Sequence, residues 1–349
     1  MNSGDLRISW RSVVPCLMVA LLLAPYVLAA PAAVPPDVPK TPAVEEAVTQ
    51  WLRGIQDKDP RKRAQSAGRI GQLAQERGRL GDATPKAIAA LAKATRDPDP
   101  CVRSPAVWAL GKFLYDAKEA GKPLVRALND KDANVRSNAA CMLGQLGARN
   151  PEIPGAIAAL TRALDNASGM RLDALRALQE FRAGAKSAVP RILLFVSHAD
   201  PRTRHDAVRA LAWIDPGAKA CIEVFKKGLA DDVVRRPSAE GLYYGGAARD
   251  CVPLLIEALK AELCLKNGGE CADIAGALGE AGTASPEIVP ALIGLLGHRS
   301  GSTRLSAAKA LGKIGAEAKE AIPALEKLAK DEIPGVAKEA EEALAKIKS

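Results

Sequence analysis

His198, His205 and His298 are the three histidines of this 349-residue chain, and they are the natural place to look for chemistry. Histidine ligands to a metal commonly stand as a close pair on one helix with further donors near. His198 and His205 instead straddle Asp200, a residue suited to starting a helix, so they belong to different helices. No metal site and no cofactor is expected. No Gly-rich phosphate loop, nucleophile elbow, Ser/His/Asp arrangement or His-Glu dipeptide is present, and the carboxylates recur along the chain instead of gathering at one point. The expected class is therefore non-enzymatic. Of seven cysteines, Cys264 and Cys271 flank "LKNGGE", a connector between helices, and are expected to reach disulfide geometry.

Arginine carries the clearest spacing. Arg63, Arg103, Arg136, Arg171, Arg204, Arg235 and Arg304 each stand seven residues before an apolar residue that precedes a glycine-like slot. Those anchors are Ile70, Leu110, Leu143, Leu178, Leu211, Leu242, Leu278, Leu311 and Leu344, separated by 40, 33, 35, 33, 31, 36, 33 and 33 residues. A period in this range marks a solenoid, whose units bury their apolar faces only against one another. Asp59, Asp99, Asp132, Asp200 and Asp231 lie eleven residues before their anchors, where a helix needs an N-cap, and Pro60, Pro100 and Pro201 follow directly. Between cap and anchor, residues such as Val135, Ala139, Ala140, Met142, Leu143 and Leu146 recur at helical spacing. Gly147, Gly282 and Gly315 suit a left-handed helix end. A second, shorter helix then starts near Pro85, Pro123, Pro154, Pro190, Pro253, Pro290 and Pro323. Strand-like alternation is absent, so the chain is expected to be all-α. Pro105 and Pro237, two residues past the recurring arginine, are expected to kink their first helices.

Asp132, Val135-Arg136, Ala139-Ala140 and Leu143-Gly144 with Leu146-Gly147 resemble the HEAT repeat, in the variant found in phycobilisome-lyase-type HEAT proteins. The resemblance implies a right-handed α-solenoid of about nine helix-turn-helix repeats whose second helices line a concave face. It does not imply lyase chemistry. Stacked repeats would set the arginines and aspartates in a ladder of guanidinium forks bridging carboxylates and loop carbonyls of adjacent units. Cys271 takes the arginine slot of the seventh repeat and Ala337 that of the ninth. Cys221 and Cys251 occupy equivalent places in consecutive repeats, about 10 Å apart and too far to bond. Cys141 reads as a buried substitute for alanine, and Cys101 has no evident partner.

The ends differ. Arg7 and Arg11 followed by an apolar run from Val13 to Leu28 read as an export signal over residues 1–29, with a Pro/Ala-rich linker over 30–42. A capping helix is expected over 43–58, with Trp51 and Leu52 on its apolar side, and the array over 59–349. No stable membrane span is expected after cleavage, and the protein is expected in the periplasm or secreted.

Net charge is +9, mild in density because acids and bases alternate. On the second helices, Lys93, Arg126, Arg162 and Lys227 share a slot. This stripe suits an acidic partner, although a cation near a helix C-terminus is also favoured by the helix dipole. Tyr243 and Tyr244, set in "VVRRPSAEGLYYGGAARD", are contact material or packing substitutes in a divergent repeat. The favoured function is an exported scaffold that binds another protein through its concave surface. The alternatives are a binder of acidic polymer, polysaccharide or nucleic acid, and an accessory of a lyase-like enzyme.

Overall fold

The computed structural model describes residues 42–165, 169–263 and 271–349. The expected leader and nearly all of the linker lie outside them, as does Cys264, so the Cys264–Cys271 pairing does too. Within them no strand occurs.

Helix α1 (Pro42–Gly54) packs on the first repeat. The first helices of the repeats are α2 (Pro60–Arg77), α4 (Pro100–Leu110), α6 (Ala133–Gly147), α8 (Met170–Glu180), α10 (Pro201–Ile214), α12 (Arg235–Tyr244), α14 (Ala272–Ala281), α16 (Gly301–Ile314) and α18 (Pro334–Lys348). The second helices are α3 (Thr84–Ala94), α5 (Ala117–Ala127), α7 (Ala156–Ala163), α9 (Val189–Ile192), α11 (Lys219–Gly228), α13 (Val252–Leu263), α15 (Ile288–Leu295) and α17 (Ile322–Leu328). The array is an all-α solenoid.

Local chemistry sets the helix starts. Asp59, Asp99 and Asp132 accept from the amides of Arg61, Cys101 and Asn134 at 2.9, 2.8 and 2.9 Å, and Asp200 from that of Thr203 at 2.9 Å. Each satisfies an amide that the first helical turn leaves unpaired. Asp231 departs from the expected role. Helix α12 begins only at Arg235, and Asp231 accepts from the Val233 amide at 2.9 Å in a turn that precedes it. No proline follows Asp231, and residues 232–234 form a turn, with Val234 at φ −112° and ψ 1°, before the helix begins. Pro85, Pro190 and Pro323 sit in the first turns of their helices, whereas Pro123 and Pro105 lie inside α5 and α4. Gly282 and Gly315 take the left-handed φ values of 64° and 76°. Gly147 instead remains helical, and its glycine is required by packing, since a Cβ there would stand 2.5 Å from the Phe181 ring.

The anchors from Ile70 to Leu311 are fully buried, while Leu344 in α18 is half-buried. First helices pack directly on one another along the array, whereas neighbouring second helices barely touch. Small residues permit the close approach. A Cβ on Gly71 would meet the Ala109 Cα at 2.7 Å, and one on Gly279 the Ala310 Cα at 2.8 Å. A two-layer stack bends toward its tighter layer. The concave side therefore belongs to the first helices, and the reading that second helices line it is corrected by this packing.

Candidate functional site

The arginine slot and a carboxylate slot two residues before each cap form a ladder. Arg103 is 3% exposed. Its Nε and Nη2 donate to the Asp130 carboxylate of the next repeat, both at 2.8 Å, and its Nη1 to the Asp97 and Pro98 carbonyls at 3.0 and 3.1 Å. Arg63 holds Asp97 in the same way at 2.8 and 2.9 Å, and Arg304 holds Asp331 at 2.7 and 2.8 Å. Each of these aspartates also accepts from the amide two residues on, as Asp130 does from Asp132 at 2.8 Å. Burial raises the Asp97 and Asp130 carboxyls, but the arginine fork and that amide outweigh it and leave both below the usual carboxylate range. The partners are thus not the cap residues Asp59, Asp99 or Asp132.

Other rungs vary. Arg204 lies 3.5 Å from Asp231, and Arg235 donates to Glu262 at 2.8 Å. Arg171 donates to the Leu164 carbonyl at 2.8 Å and lies over the Phe195 ring, 4.8 Å from its centroid. Arg136 reaches the Asp130 and Lys131 carbonyls at 2.9 and 3.1 Å, but its Nε meets no partner because Asp165 pairs with Arg191 instead. His198 and His298 take the carboxylate slot and accept amides of Asp200 and Ser300 through Nδ1 at 3.1 Å. The seventh repeat lacks the arginine. There the amide of buried Cys271 donates to the Thr303 hydroxyl at 3.2 Å, and the next repeat carries His298 where others carry aspartate. This carboxylate slot is legible in the sequence as a recurrence of Asp57, Asp97, Asp130, Asp165 and Asp331, thirteen residues before five of the anchors.

The first-helix face carries a second pattern. Asn138 donates to Ser104 at 2.7 Å, Arg176 pairs with Asp206 at 2.9 Å and Arg236 with Asp273 at 3.3 Å. Cys141 is exposed on this face, contrary to its reading as buried packing, because its slot points away from the second helices. Cys101 is exposed as well, whereas Cys221 and Cys251 are buried and burial pushes the Cys221 thiol up to about 11.

Aromatic residues gather where α8, α10 and α12 meet. Trp213 and Tyr244 have ring centroids 5.2 Å apart, and Tyr243 packs edge-on against Tyr244 at 4.9 Å. Tyr244 is 50% exposed and ends α12, so the expected turn position for the pair becomes a helix end. The Arg182 guanidinium lies over Trp213, 4.5 Å from the ring centroid. Arg182 is the one non-glycine with positive φ among the described residues, at 49°. Glycine fills the equivalent slot at 246, 282 and 315, with φ of 67°, 64° and 76°, and at 147, where it stays helical. Below the rings stands Glu240. Burial and the Asp273 carboxylate push it up to about 7, against the pull of Arg209, Arg236 and Trp213. The buried Trp213 indole N–H meets no acceptor at ordinary hydrogen-bond geometry, yet it is near enough to help hold Glu240 down. Sequence spacing singles out Tyr243 and Tyr244 only. Arg182, Trp213 and Glu240 come from separate repeats, and no period connects them.

The basic stripe lies elsewhere. Lys93, Arg126, Arg162 and Lys227 are exposed in the last turns of α3, α5, α7 and α11. Arg126 lines a cleft of about 450 Å³ with Arg96 and Lys131, beside the Arg103–Asp130 rung.

A family model of HEAT repeats matches residues 88–179 and 272–345. Those two segments are similar to HEAT repeats. The Arg182, Trp213, Glu240 and Tyr244 cluster falls between the two matched segments. Among solved structures, the crystal structure of an engineered protein is similar at 21% identity and a TM-score of 0.46, over 87% of this chain and 99% of that one. A comparison with curated proteins finds no match. Among the described residues no helix is long and apolar enough to cross a membrane, and no group of three or more His, Cys, Asp or Glu is placed to hold a metal.

Proposed function

We propose that this chain is an exported, non-catalytic HEAT-repeat scaffold that binds another protein through its first-helix surface, centred on Trp213 and Tyr244. The observation that carries the reading is the half-exposed Tyr244 packed on Trp213 in the close-packed helix layer. Tryptophan, tyrosine and arginine dominate the energetic centres of protein interfaces, and a repeat array offers them on a rigid support with little ordering cost. Export to the periplasm or beyond is supported by the leader over residues 1–29, and assignment of the repeats to the phycobilisome-lyase-like variant by the Val-Arg and Leu-Gly pattern. The test is capture of partners from envelope extract by wild type and by the Trp213→Ala, Tyr244→Ala double variant. A protein retained by wild type at high salt and lost by the variant supports the reading. Equal retention by both refutes it.

A second reading rests on the cleft at Arg96, Arg126 and Lys131, whose neighbouring aspartates are already engaged by the ladder. Its uncommitted cations suit an acidic polymer. Charge reversal of Arg126 and Arg162 then abolishes binding to a polyanion column that is itself steeply weakened by salt. Unchanged retention contradicts it.

A further inference from the structure

The cluster at α8, α10 and α12 combines features that serve no ladder or core role. Arg182 holds a left-handed backbone that favours glycine, and three other repeats place a left-handed glycine there. Strained backbone of this kind persists where surrounding structure enforces it, and such sites concentrate where ligands are held. What Arg182 gains is the face of Trp213, with its guanidinium 4.5 Å from the ring centroid. A cation over an indole is attracted by the ring's negative face. The Tyr244 ring stands 5.2 Å from Trp213, and its hydroxyl feels the Arg182 guanidinium as well as the carboxylates of Glu240 and Asp273.

We propose that this aromatic platform receives an arginine side chain of the partner protein, and that Arg182 occupies it as an internal stand-in until the partner displaces it. The inference rests on the first-helix face being the contact surface. Arg236 is engaged by Asp273 at 3.3 Å, which leaves Glu240 as the carboxylate available to an incoming cation. Arg209 on α10 and Lys313, which lies 5.9 Å from the Tyr243 ring centroid, are the other cations nearby, and they oppose any incoming cation, so the selection of a guanidinium rests on stacking. A planar, weakly hydrated guanidinium stacks on Trp213 with less desolvation cost than a lysine head group. A stand-in of this kind keeps the aromatic platform covered while no partner is present, at the expense of affinity.

The test uses the full chain and three blocked tripeptides, Gly-Arg-Gly, Gly-Lys-Gly and Gly-Glu-Gly, followed through the indole N–H resonance of Trp213. Arg182→Gly places in this slot the residue that four other repeats carry, and it removes the stand-in. The arginine peptide is expected to bind Arg182→Gly about tenfold more tightly than wild type, with the lysine peptide weaker. Adding Glu240→Gln to Arg182→Gly is expected to cancel the gain while the thermal melt stays cooperative. An arginine peptide that binds folded Arg182→Gly no better than wild type overturns the proposal. So does a glutamate peptide that binds wild type and is lost in Arg182→Gly. That second result makes Arg182 itself a contact for acidic partners and leaves the first-helix surface standing as the contact face. Failure of that surface is read separately, from capture by the Trp213→Ala, Tyr244→Ala variant.

Discussion

At the scale of single residues, two carboxylates show how the same chemical group is used in opposite ways. Asp130 is held below the usual range by the Arg103 fork and the Asp132 amide despite its burial. Its stabilising contribution is therefore complete above the ordinary aspartate value and is lost as pH falls through the lower folded value. Asp130→Ala strands the buried Arg103 guanidinium and is expected to cost about 3 kcal/mol near neutral pH. Denaturant titrations should show that cost shrinking in acid, below the ordinary aspartate range. Glu240 has the reverse sign. Its carboxyl titrates near 7 in the folded protein against 4.5 for an unperturbed glutamate, so the native state is increasingly penalised as pH rises from about 4.5 to about 7. Glu240→Gln is expected to stabilise the protein above pH 7, on the order of 2 kcal/mol, and to change little at pH 4.5. A gain that is the same at both ends would mean that Glu240 is not raised by its surroundings.

At the scale of helices, the first-helix layer depends on glycine and alanine at the crossing points. A Cβ on Gly279 would come within 2.5 Å of the Ala310 Cβ and 2.8 Å of its Cα. Backbone cannot yield as a flexible side chain can. Gly279→Ala should therefore cost about 1–3 kcal/mol in thermal or chemical melts. Gly68 lies on an open part of α2, where an added Cβ would meet nothing within 4 Å. Gly68→Ala should accordingly stabilise by about 0.5–1 kcal/mol through helix propensity alone. Much of this layer is legible in residue order, because every unit solves the same packing problem: anchors, caps and the arginine slot recur at one period. The carboxylate slot recurs in residue order too, but it is easily passed over because the cap aspartates stand two residues away at Asp99 and Asp132 and carry the more familiar role. Which layer is concave cannot be read from residue order, since helix-to-helix distance depends on how Gly71, Gly279 and their partners meet in space. Arg182, Trp213 and Glu240 are invisible for a related reason. Each departs from its repeat in a different slot, and only folding brings the departures together.

At the scale of the whole array, the repeated Arg–Asp rungs and buried anchors bind each unit to the next, and the aromatic cluster interrupts an otherwise regular first-helix surface. A repeat framework serves unrelated roles, so function rests on such local departures and not on the fold. The most direct measurement places a photo-crosslinking amino acid at Tyr244 on the first-helix face and, in a second protein, at Arg162 on the second-helix side, each in cells that produce the full chain. If the first-helix surface is where the partner docks, Tyr244 yields a discrete protein adduct that Arg162 does not, and the adduct vanishes when Trp213→Ala is added. Adducts formed from Arg162 and absent from Tyr244 would contradict it and place the contact on the basic stripe.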